Sequence, residues 1–409
     1  MAGLDFIYEK MSNFAVMLTR LYRLILLFCL LCGTSGFCAV SPDADVSVDS
    51  VAPKSRTWGF LQPVVDYFSK ANQVDPNKAF DISFIGGPHY SSEEGFGIGV
   101  AGSGLYKAGN NWRTDTITPY SNVTLKLDAT TGQMFKIGVE GIHIFPGDHS
   151  RLEYDVFIYT FADKYWGIGY NENRHDYNET KYKRLQSQSR LGYLVKLHDG
   201  VFIGPSAMFS YIHARDVREE SLLFDQPRKT FTTGLGFTFM IDTRDIITGP
   251  TRGLYVRVDQ QFNPRFLTNK YCFSMTEFLA AVYVPVWKGG LICPMVHGRF
   301  TYGNTPWGLL STFGDGRSMR GYYEGRYRDK CEADVQVELR QHVWRRNGVV
   351  VWVGAGEVFP DMQRLTMRKV LPNAGIGYRW EFKKGVNVRL DVGFGRSEKG
   401  INFSLNEAF

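Results

Sequence analysis

Residues 80–409 consist of short segments in which apolar and polar side chains alternate, with turn residues between the segments. In residues 386–395, for example, Asn387, Arg389 and Asp391 stand between apolar side chains. Successive side chains of a β-strand point to opposite faces, so each segment is predicted to be a strand with one apolar face. Charges at every second position suit the wet interior of a membrane barrel better than a dry sandwich core. We therefore predict an all-β fold, a transmembrane antiparallel β-barrel, with a soluble all-β protein as the alternative.

Turn residues divide this region into about sixteen strands, in line with the even numbers found in bacterial barrels. The predicted starts are Phe80, Gly95, Ile117, Gly132, Arg151, Gln186, Val201, Lys229, Leu254, Tyr271, Leu291, Cys331, Val349, Leu371, Val386 and Gly400. Every second connection is short, and the others include the long segments 159–185, 215–228, 303–330 and 360–370. Because short periplasmic turns and long external loops are typical of these barrels, we expect the long segments to be extracellular.

The N-terminal residues have the order of an export signal. Arg20 and Arg23 precede the apolar run 24–31, and small residues follow the run. A basic region, an apolar region and a small-residue cleavage site together define a secretory signal peptide. We therefore predict a signal peptide over residues 1–38, with cleavage one residue later, after Ala39, as the alternative.

The next segment, residues 39–79, is polar and contains four prolines. This composition predicts a periplasmic linker, and the segment is too short for the repeated periplasmic modules of large assembly factors. A lipoprotein is a less favoured alternative, because Leu31 and Phe37 stand where lipid attachment requires a small residue. The barrel is thus predicted to begin at residue 80.

Composition and motif searches exclude several functions. The net charge of +6 is spread along the chain, so we predict no nucleic-acid partner. The histidines show no pair at metal-ligand spacing, and we find neither a nucleophile elbow nor a phosphate-binding loop. Residues 97–102 match G-x-G-x-x-G, but no helix follows them, and glycines of a barrel wall explain them better. We therefore predict that the protein is not an enzyme and needs no cofactor and no metal.

Three cysteines remain after the predicted cleavage, namely Cys272, Cys293 and Cys331. An odd number gives no disulfide framework, so we predict that they are small apolar residues of strands. A disulfide between Cys272 and Cys293 on neighbouring strands is the alternative.

The long segment 303–330 contains the tract Gly-Asp-Gly-Arg-Ser-Met-Arg-Gly-Tyr at residues 314–322. This tract resembles the (V/I)-R-G-(F/Y) motif in the sixth extracellular loop of BamA/TamA-type barrels, the bacterial surface antigen family. In that family the loop folds back into the lumen, so the resemblance implies a lumen-inserted loop here. The residues that carry the motif are Arg317, Met319, Arg320, Gly321 and Tyr322.

Two further tracts are similar to the same family. Residues 242–253 resemble its D-T-R-D…P-x-x-G turn, and the matching residues are Asp242, Arg244, Asp245, Pro250 and Gly253. Residues 403–409 resemble the final strand that the barrel-assembly machinery reads, with Phe403, Leu405 and Phe409 as the signal. The three tracts occur in the family's order, and the resemblance covers residues 80–409, in a form that lacks the periplasmic POTRA domains.

The resemblance implies that Arg320 enters a polar lumen, where a buried guanidinium needs carboxylate partners. Alternation places Asp334, Glu338 and Asp391 on the lumen side, so these are candidate partners. The family often has F-x-D-x-G two strands after the loop motif, whereas this chain has Trp-Val-Gly-Ala-Gly at residues 352–356. The aspartate is missing, and Glu357 is a further candidate. A solvated external loop is the alternative to lumen insertion.

By this resemblance the protein is an outer-membrane barrel that assists the insertion or export of outer-membrane proteins or lipids. The implied partners are outer-membrane lipid, the barrel-assembly machinery during its own insertion, and a periplasmic partner or client. A structural or passive-channel barrel without assembly activity is the alternative, since the aspartate of the motif is missing.

Overall fold

A computed structural model describes residues 80–91, 95–109, 119–130, 134–219, 221–267, 269–383 and 386–409. The predicted signal peptide and linker, residues 1–79, lie outside the described residues. Apart from short helical turns, the regular structure of the described residues is β-strand.

Sixteen strands form a single antiparallel sheet, in which each strand pairs with its neighbours in the chain. They are β1 (Phe80–Ser91), β2 (Gly95–Tyr106), β3 (Ser121–Thr130), β4 (Met134–Ile144), β5 (Ser150–Tyr165), β6 (Thr180–His198), β7 (Val201–Arg215), β8 (Lys229–Asp242), β9 (Gly253–Asn263), β10 (Phe273–Trp287), β11 (Gly290–Gly303), β14 (Cys331–Trp344), β15 (Asn347–Phe359), β16 (Leu371–Lys383), β17 (Val386–Gly395) and β18 (Glu398–Leu405). Two short strands, β12 (Ser311–Thr312) and β13 (Arg328–Asp329), pair with each other inside the connection between β11 and β14.

The sheet curls so that its first strand, β1, contacts its last strand, β18. Within the described residues these two strands share no hydrogen-bonded ladder, in contrast to every other neighbouring pair. The prediction of an antiparallel barrel of about sixteen strands is confirmed. Each strand starts within six residues of its predicted start, and the largest difference is at β6, which begins at Thr180 instead of Gln186. The ladder between β5 and β6 continues there to the pair Tyr165 and Thr180, beyond the alternating segment.

The two faces of the sheet differ as the alternation predicts. On β14 the side chain of Val335 is 45% exposed, whereas Asp334 and Gln336 on either side of it are buried. Large apolar side chains of the other strands, such as Ile376 and Phe403, are likewise exposed on the outer face. The outer face is therefore apolar, and most of the charges lie inside.

The helical turns lie in the connections between strands. The one α-helix in the described part of the chain, α1, spans Tyr170–Asn173, and the 3-10 turns are Pro146–Asp148, Asp176–Asn178, Arg265–Leu267, Trp307–Leu309 and Met362–Arg364. Within the described ranges, none of the helices has the length and apolar character that crossing a membrane requires.

The two ends of the barrel differ in the length of the connections between strands. Residues 166–179, 216–228, 304–330 and 360–370 connect strands at one end, here called the long-loop end. The opposite, short-turn end has connections such as 199–200 and 288–289, together with the longer turn 243–252.

Cys272, Cys293 and Cys331 are all free, so the alternative of a disulfide between Cys272 and Cys293 is not realised.

Candidate functional site, a loop anchored in the barrel lumen

The connection 304–330, here called the lumen loop, folds back into the barrel. Its base is the short ladder of β12 and β13, where Ser311 Oγ also donates to the backbone carbonyl of Arg299 at 2.8 Å. The side chains at the centre of the loop motif are almost fully enclosed, with exposed fractions of 0% for Met319, 2% for Arg320 and 3% for Tyr322. A solvated external loop would leave such side chains in water, so the loop is lumen-inserted.

Arg320 is held by two carboxylates of the barrel wall. Its Nη1 donates to Asp391 Oδ2 on β17 at 2.7 Å, and its Nη2 donates to Glu338 Oε1 on β14. The guanidinium carbon lies 3.8 Å from the centre of the Trp352 ring, a cation–π contact. A planar guanidinium can make all three contacts at once, which a lysine ammonium cannot.

The same carboxylates belong to a larger arrangement, here called the ion ring, of Arg320, Glu338, Arg340, Glu407, Arg379 and Asp391. Around the ring Glu338 also accepts from Arg340 Nε at 2.9 Å. Asp391 also accepts from Arg379 Nη1 at 2.5 Å, and Glu407 accepts from Arg379 Nε at 2.9 Å. The contact that closes the ring is longer, 3.8 Å between Arg340 Nε and Glu407 Oε2. Each buried charge thus lies between two opposite charges, which is the condition under which burial of ions is tolerated.

The backbone of the motif lies directly on the barrel wall. Gly321 has a φ of +115°, and a Cβ atom at this position would overlap the carbonyl carbon of Gly393 on β17. A Cβ atom at Gly393 would in turn overlap the carbonyl oxygen of Arg320. That oxygen accepts a hydrogen bond from Asn373 Nδ2 at 2.5 Å. Two facing glycines therefore allow the loop and the strand to approach closely.

Tyr322 fixes the loop at a second position. Its hydroxyl donates to the carbonyl oxygen of Pro372 at 2.7 Å and accepts from the backbone N–H of Arg396 at 2.8 Å. Its ring packs edge-on against Phe313 and Tyr327 of the same loop. Burial raises the pKa of Tyr322 to about 12, so the phenol keeps its donor proton at neutral pH.

The other candidate partners of Arg320 lie elsewhere. Asp334 accepts from Ser318 Oγ with one oxygen and lies 3.0 Å from His297 Nδ1 with the other, so it binds the loop but not through Arg320. Glu357 accepts from Thr366 Oγ1 of the connection 360–370 at 3.2 Å.

The sequence-based candidates Asp334 and Glu357 are therefore corrected, and Glu338 and Asp391 are the carboxylates that Arg320 contacts. At the position of the missing aspartate, Gly354, a Cβ would lie 3.2 Å from Met319 Sδ, so the loop packs close to that part of the wall. Arg317 stands apart from this contact region, with a side chain that is 66% exposed.

The turn 243–252 forms a second structured region, at the short-turn end. Asp242, whose side chain is 3% exposed, accepts from Arg244 Nε at 2.8 Å and from Arg151 Nη1 of β5 at 3.2 Å. Asp245 accepts from the backbone N–H of Ile246 and of Thr251, each at 2.9 Å. These bonds tie the turn to itself and to a strand that lies three strands away in the sheet.

The remaining residues of the turn motif have conformational roles. Gly253 has a φ of +115°, and a Cβ there would overlap the carbonyl oxygen of Thr243. Pro250 is buried. The motif therefore builds one compact turn at the point where β9 begins.

Replacement of Asp242 by asparagine is expected to destabilise the folded barrel by about 2 kcal/mol, because an amide cannot serve two arginines as a carboxylate does. The measurement is the urea concentration at which the folded, fast-migrating gel band is lost. Asp199→Asn is the matched control, since the Asp199 side chain is 90% exposed in another short turn. Equal midpoints for the two variants would contradict the assigned role of Asp242.

The C-terminal residues do not all follow the strand. β18 ends at Leu405, and Phe403 on it is exposed on the outer face. Beyond the strand Asn406 adopts a φ of +65°, and Phe409 packs inside against Tyr283 and its neighbours. Arg340 Nη2 donates to the carbonyl oxygen of Phe409 at 3.2 Å. The terminal aromatic thus lies past the strand and inside the barrel, whereas the sequence resemblance implies a strand residue.

Glu407 makes the stability of the barrel depend on pH. Burial opposes its ionisation, but Arg340 and Arg379 and a hydrogen bond from Asn387 outweigh burial and lower its pKa from 4.5 to about 2. A carboxylate with a lowered pKa stabilises the fold above its usual pKa, and this contribution is lost as the pH falls from about 4.5 to about 2.

We therefore expect the thermal midpoint of the folded barrel to fall over this pH range, and to fall less steeply in the variant Glu407→Gln. The midpoint is read from the temperature at which the fast-migrating band disappears in samples buffered at successive pH values. Glu219→Gln, at an exposed loop position, should keep the slope of the unmodified protein. A Glu407→Gln slope equal to that of the control would refute the role of Glu407.

Comparisons with known proteins agree with this geometry. The sequence model of the Omp85 superfamily domain matches residues 120–404. No curated protein matches the chain significantly. Among solved structures the chain is similar to BamA from Haemophilus ducreyi lacking POTRA domains 1–3, with a TM-score of 0.51, 13% identity, and coverage of 80% of this chain and 70% of that chain.

It is also similar to CdiB from Acinetobacter baumannii, with a TM-score of 0.52, 10% identity, and coverage of 81% of this chain and 60% of that chain. CdiB from Escherichia coli gives a TM-score of 0.53 at 10% identity, with 81% and 64% of the two chains covered. At these identities the structural likeness concerns the fold alone, and this chain spans less than two thirds of either CdiB chain. Together with the match over residues 120–404, the barrel and its lumen loop show that the chain belongs to the Omp85 superfamily of outer-membrane β-barrels.

Proposed function

We propose that the protein is exported by a signal peptide to the outer membrane, where it assists the insertion or export of outer-membrane proteins or lipids. The observation that carries this proposal is the lumen loop, which is tied through Arg320 to two strands of an Omp85-type barrel. An ion ring that joins a loop to the wall can transmit a change of the loop to the strands.

The position of the ion ring supports the same proposal. Its members lie on the lumen loop, on β14, β16 and β17, and beyond the end of β18, the strand that shares no ladder with β1 in the described residues. Strands joined without a hydrogen-bonded ladder separate at lower cost than paired strands. We propose that the loop controls the wall at this position, where a client protein or lipid would meet the membrane.

We also propose the orientation and the partners. The long-loop end faces the outside, and the short-turn end faces the periplasm, where a partner or client approaches. Outer-membrane lipid covers the apolar outer face, on which Phe403 lies. The barrel-assembly machinery would read the C-terminal tract with Phe403, Leu405 and Phe409 during insertion of the chain itself.

Depletion of the protein tests the proposal. We expect a change in the protein or lipid composition of the outer membrane, restored by the unmodified protein and by Arg317→Ala but not by a folded variant of Arg320. Arg320→Lys serves for this, since it keeps the charge but not the forked contacts. An unchanged outer membrane after depletion would contradict an assembly role.

A passive channel is the second candidate, and one observation favours it. A cavity of about 210 Å³ lies in the lumen between β5 and β10, lined by charged side chains such as Glu153, Arg190, Arg257 and Asp259. Such a lining suits small polar solutes. Because the lumen loop is inserted in the lumen and its Arg317 lines this cavity, we expect planar-bilayer recordings to show little conductance. A stable open conductance in the unmodified protein would favour the channel.

A further inference from the structure

Three side chains on neighbouring strands converge on the lumen wall beside the lumen loop. His297 on β11 lies directly opposite Asp334 on β14 in the ladder, and Glu332 lies two residues before Asp334 on the same face. His297 Nδ1 is 3.0 Å from Asp334 Oδ2 and 3.3 Å from Glu332 Oε2. The candidate ligand atoms of the three side chains all lie within 4.8 Å of one another.

Hydrogen bonding alone does not satisfy this cluster. Nδ1 of an imidazole carries at most one proton, and it faces two carboxylate oxygens. In the structure the hydrogen bond joins Nδ1 to Asp334, and Glu332 Oε2 is left buried without a hydrogen-bond partner. The Glu332 side chain is 2% exposed, so bulk solvent does not reach it. A buried carboxylate oxygen without a hydrogen-bond partner is costly, and a cation bound between it and the imidazole nitrogen would compensate this cost.

We propose that His297, Glu332 and Asp334 bind one divalent transition-metal ion such as Zn²⁺. Ligand atoms at 2.0–2.2 Å around a tetrahedral ion are about 3.3 Å apart, close to the two distances measured from Nδ1. One imidazole and two carboxylates suit a borderline ion such as Zn²⁺ better than Ca²⁺, which prefers oxygen ligands alone. The three side chains are the protein ligands of an ion that links β11 to β14.

A second layer of side chains supports this site. His297 Nε2 faces Glu277 Oε1 of β10 at 3.9 Å, and Glu277 lies 3.6 Å from Arg190. In protein metal sites the free nitrogen of a ligating histidine commonly faces a carboxylate, which orients the ring and increases its basicity. Asp334 also accepts from Ser318 Oγ of the lumen loop. The ion would therefore also stabilise the contact between Ser318 of the lumen loop and the barrel wall.

Metal titration of the purified, refolded barrel tests the proposal. The protein is freed of metal with a chelator and then titrated with Co²⁺, whose visible absorption reports nitrogen and oxygen ligands, and with Zn²⁺ by calorimetry. All samples carry Cys272→Ser, because the exposed thiol of Cys272 is itself a metal ligand. We expect one ion per chain, and a rise of the unfolding temperature when the ion is bound.

Variants assign the ion to this cluster. His297→Asn and Glu332→Gln should abolish the Co²⁺ absorption, and Glu277→Gln should weaken binding roughly 10–100-fold, as expected for a supporting residue. His198→Asn, at an exposed position at the end of β6, is the control and should bind as the unmodified chain does. Glu332→Gln is nearly isosteric, so this variant alone can show whether the ion binds at the cluster if His297→Asn does not fold.

Two results would overturn the proposal. If the unmodified chain binds no Co²⁺ or Zn²⁺ stoichiometrically, His297 is an imidazolium that serves two carboxylates, and no ion is needed. If both His297→Asn and Glu332→Gln bind Co²⁺ as the control does, the ion lies elsewhere in the chain.

Discussion

Replacement of Arg320 by alanine is expected to lower the free energy of unfolding of the barrel by about 3–5 kcal/mol, the range seen when one partner of a buried ion pair is removed. The variant leaves Glu338 and Asp391 each with a single arginine of the ion ring, Arg340 and Arg379 respectively. It also removes the cation over the Trp352 ring. The urea midpoint of the fast-migrating, unheated gel band measures the effect.

Two further variants make this prediction specific. Arg317 lies three residues before Arg320, and its side chain is 66% exposed. Arg317→Ala therefore removes a positive charge from the same loop and should change the free energy of unfolding by no more than about 0.5 kcal/mol. Arg320→Lys should give an intermediate loss, because an ammonium cannot make the forked contacts. If Arg320→Ala has the midpoint of Arg317→Ala, the ion ring does not stabilise the loop.

The second large effect is expected for Gly321→Ala. The added Cβ would overlap the carbonyl carbon of Gly393, and the φ of +115° is one that L side chains rarely adopt. The backbone conformation alone costs about 1–3 kcal/mol, and the overlap forces the motif away from the wall. We expect trypsin to cleave the displaced loop at Arg317 or Arg320 in a barrel that remains folded.

The glycine on the strand provides an independent check. Gly393→Ala creates the same overlap from the other side, against the carbonyl oxygen of Arg320, and should expose the same trypsin sites. Gly192→Ala is the matched control, because its Cβ would find its nearest atom at 3.8 Å, in ordinary contact with Glu153. Full protection of the loop in both Gly321→Ala and Gly393→Ala would show that the close approach is not required.

Part of the candidate site could be predicted from the sequence alone. The two-residue period assigns Glu338, Arg340, Arg379 and Asp391 to the lumen, because a strand in a closed sheet has only two faces. The period does not say which of these side chains meet. Arg320 and Asp391 are 71 residues apart in the chain and become neighbours only through the stagger and tilt of the strands.

Alternation assigns a side chain to a face but not to a partner, and this explains why Glu357 and Asp334 were wrong as partners of Arg320. Glu357 is a carboxylate on β15, the strand on which the family's aspartate is missing, but it accepts a hydrogen bond from Thr366 in the connection 360–370. Asp334 faces the lumen as predicted, but it meets Ser318 and His297. His297 itself escaped the search for metal-ligand spacing, because its partners Glu332 and Asp334 come from the next strand of the sheet and not from its own.

The sequence by itself determined the barrel, the number of strands, the faces that meet lipid and water, and the loop that carries the motif. These properties depend on local alternation and turn residues, which short stretches of chain encode. The tertiary structure alone decided the closure of the ion ring through Glu407, the inward turn of Phe409 and the convergence of His297 with Glu332 and Asp334. Each of these contacts depends on the register between distant segments, which no local pattern specifies.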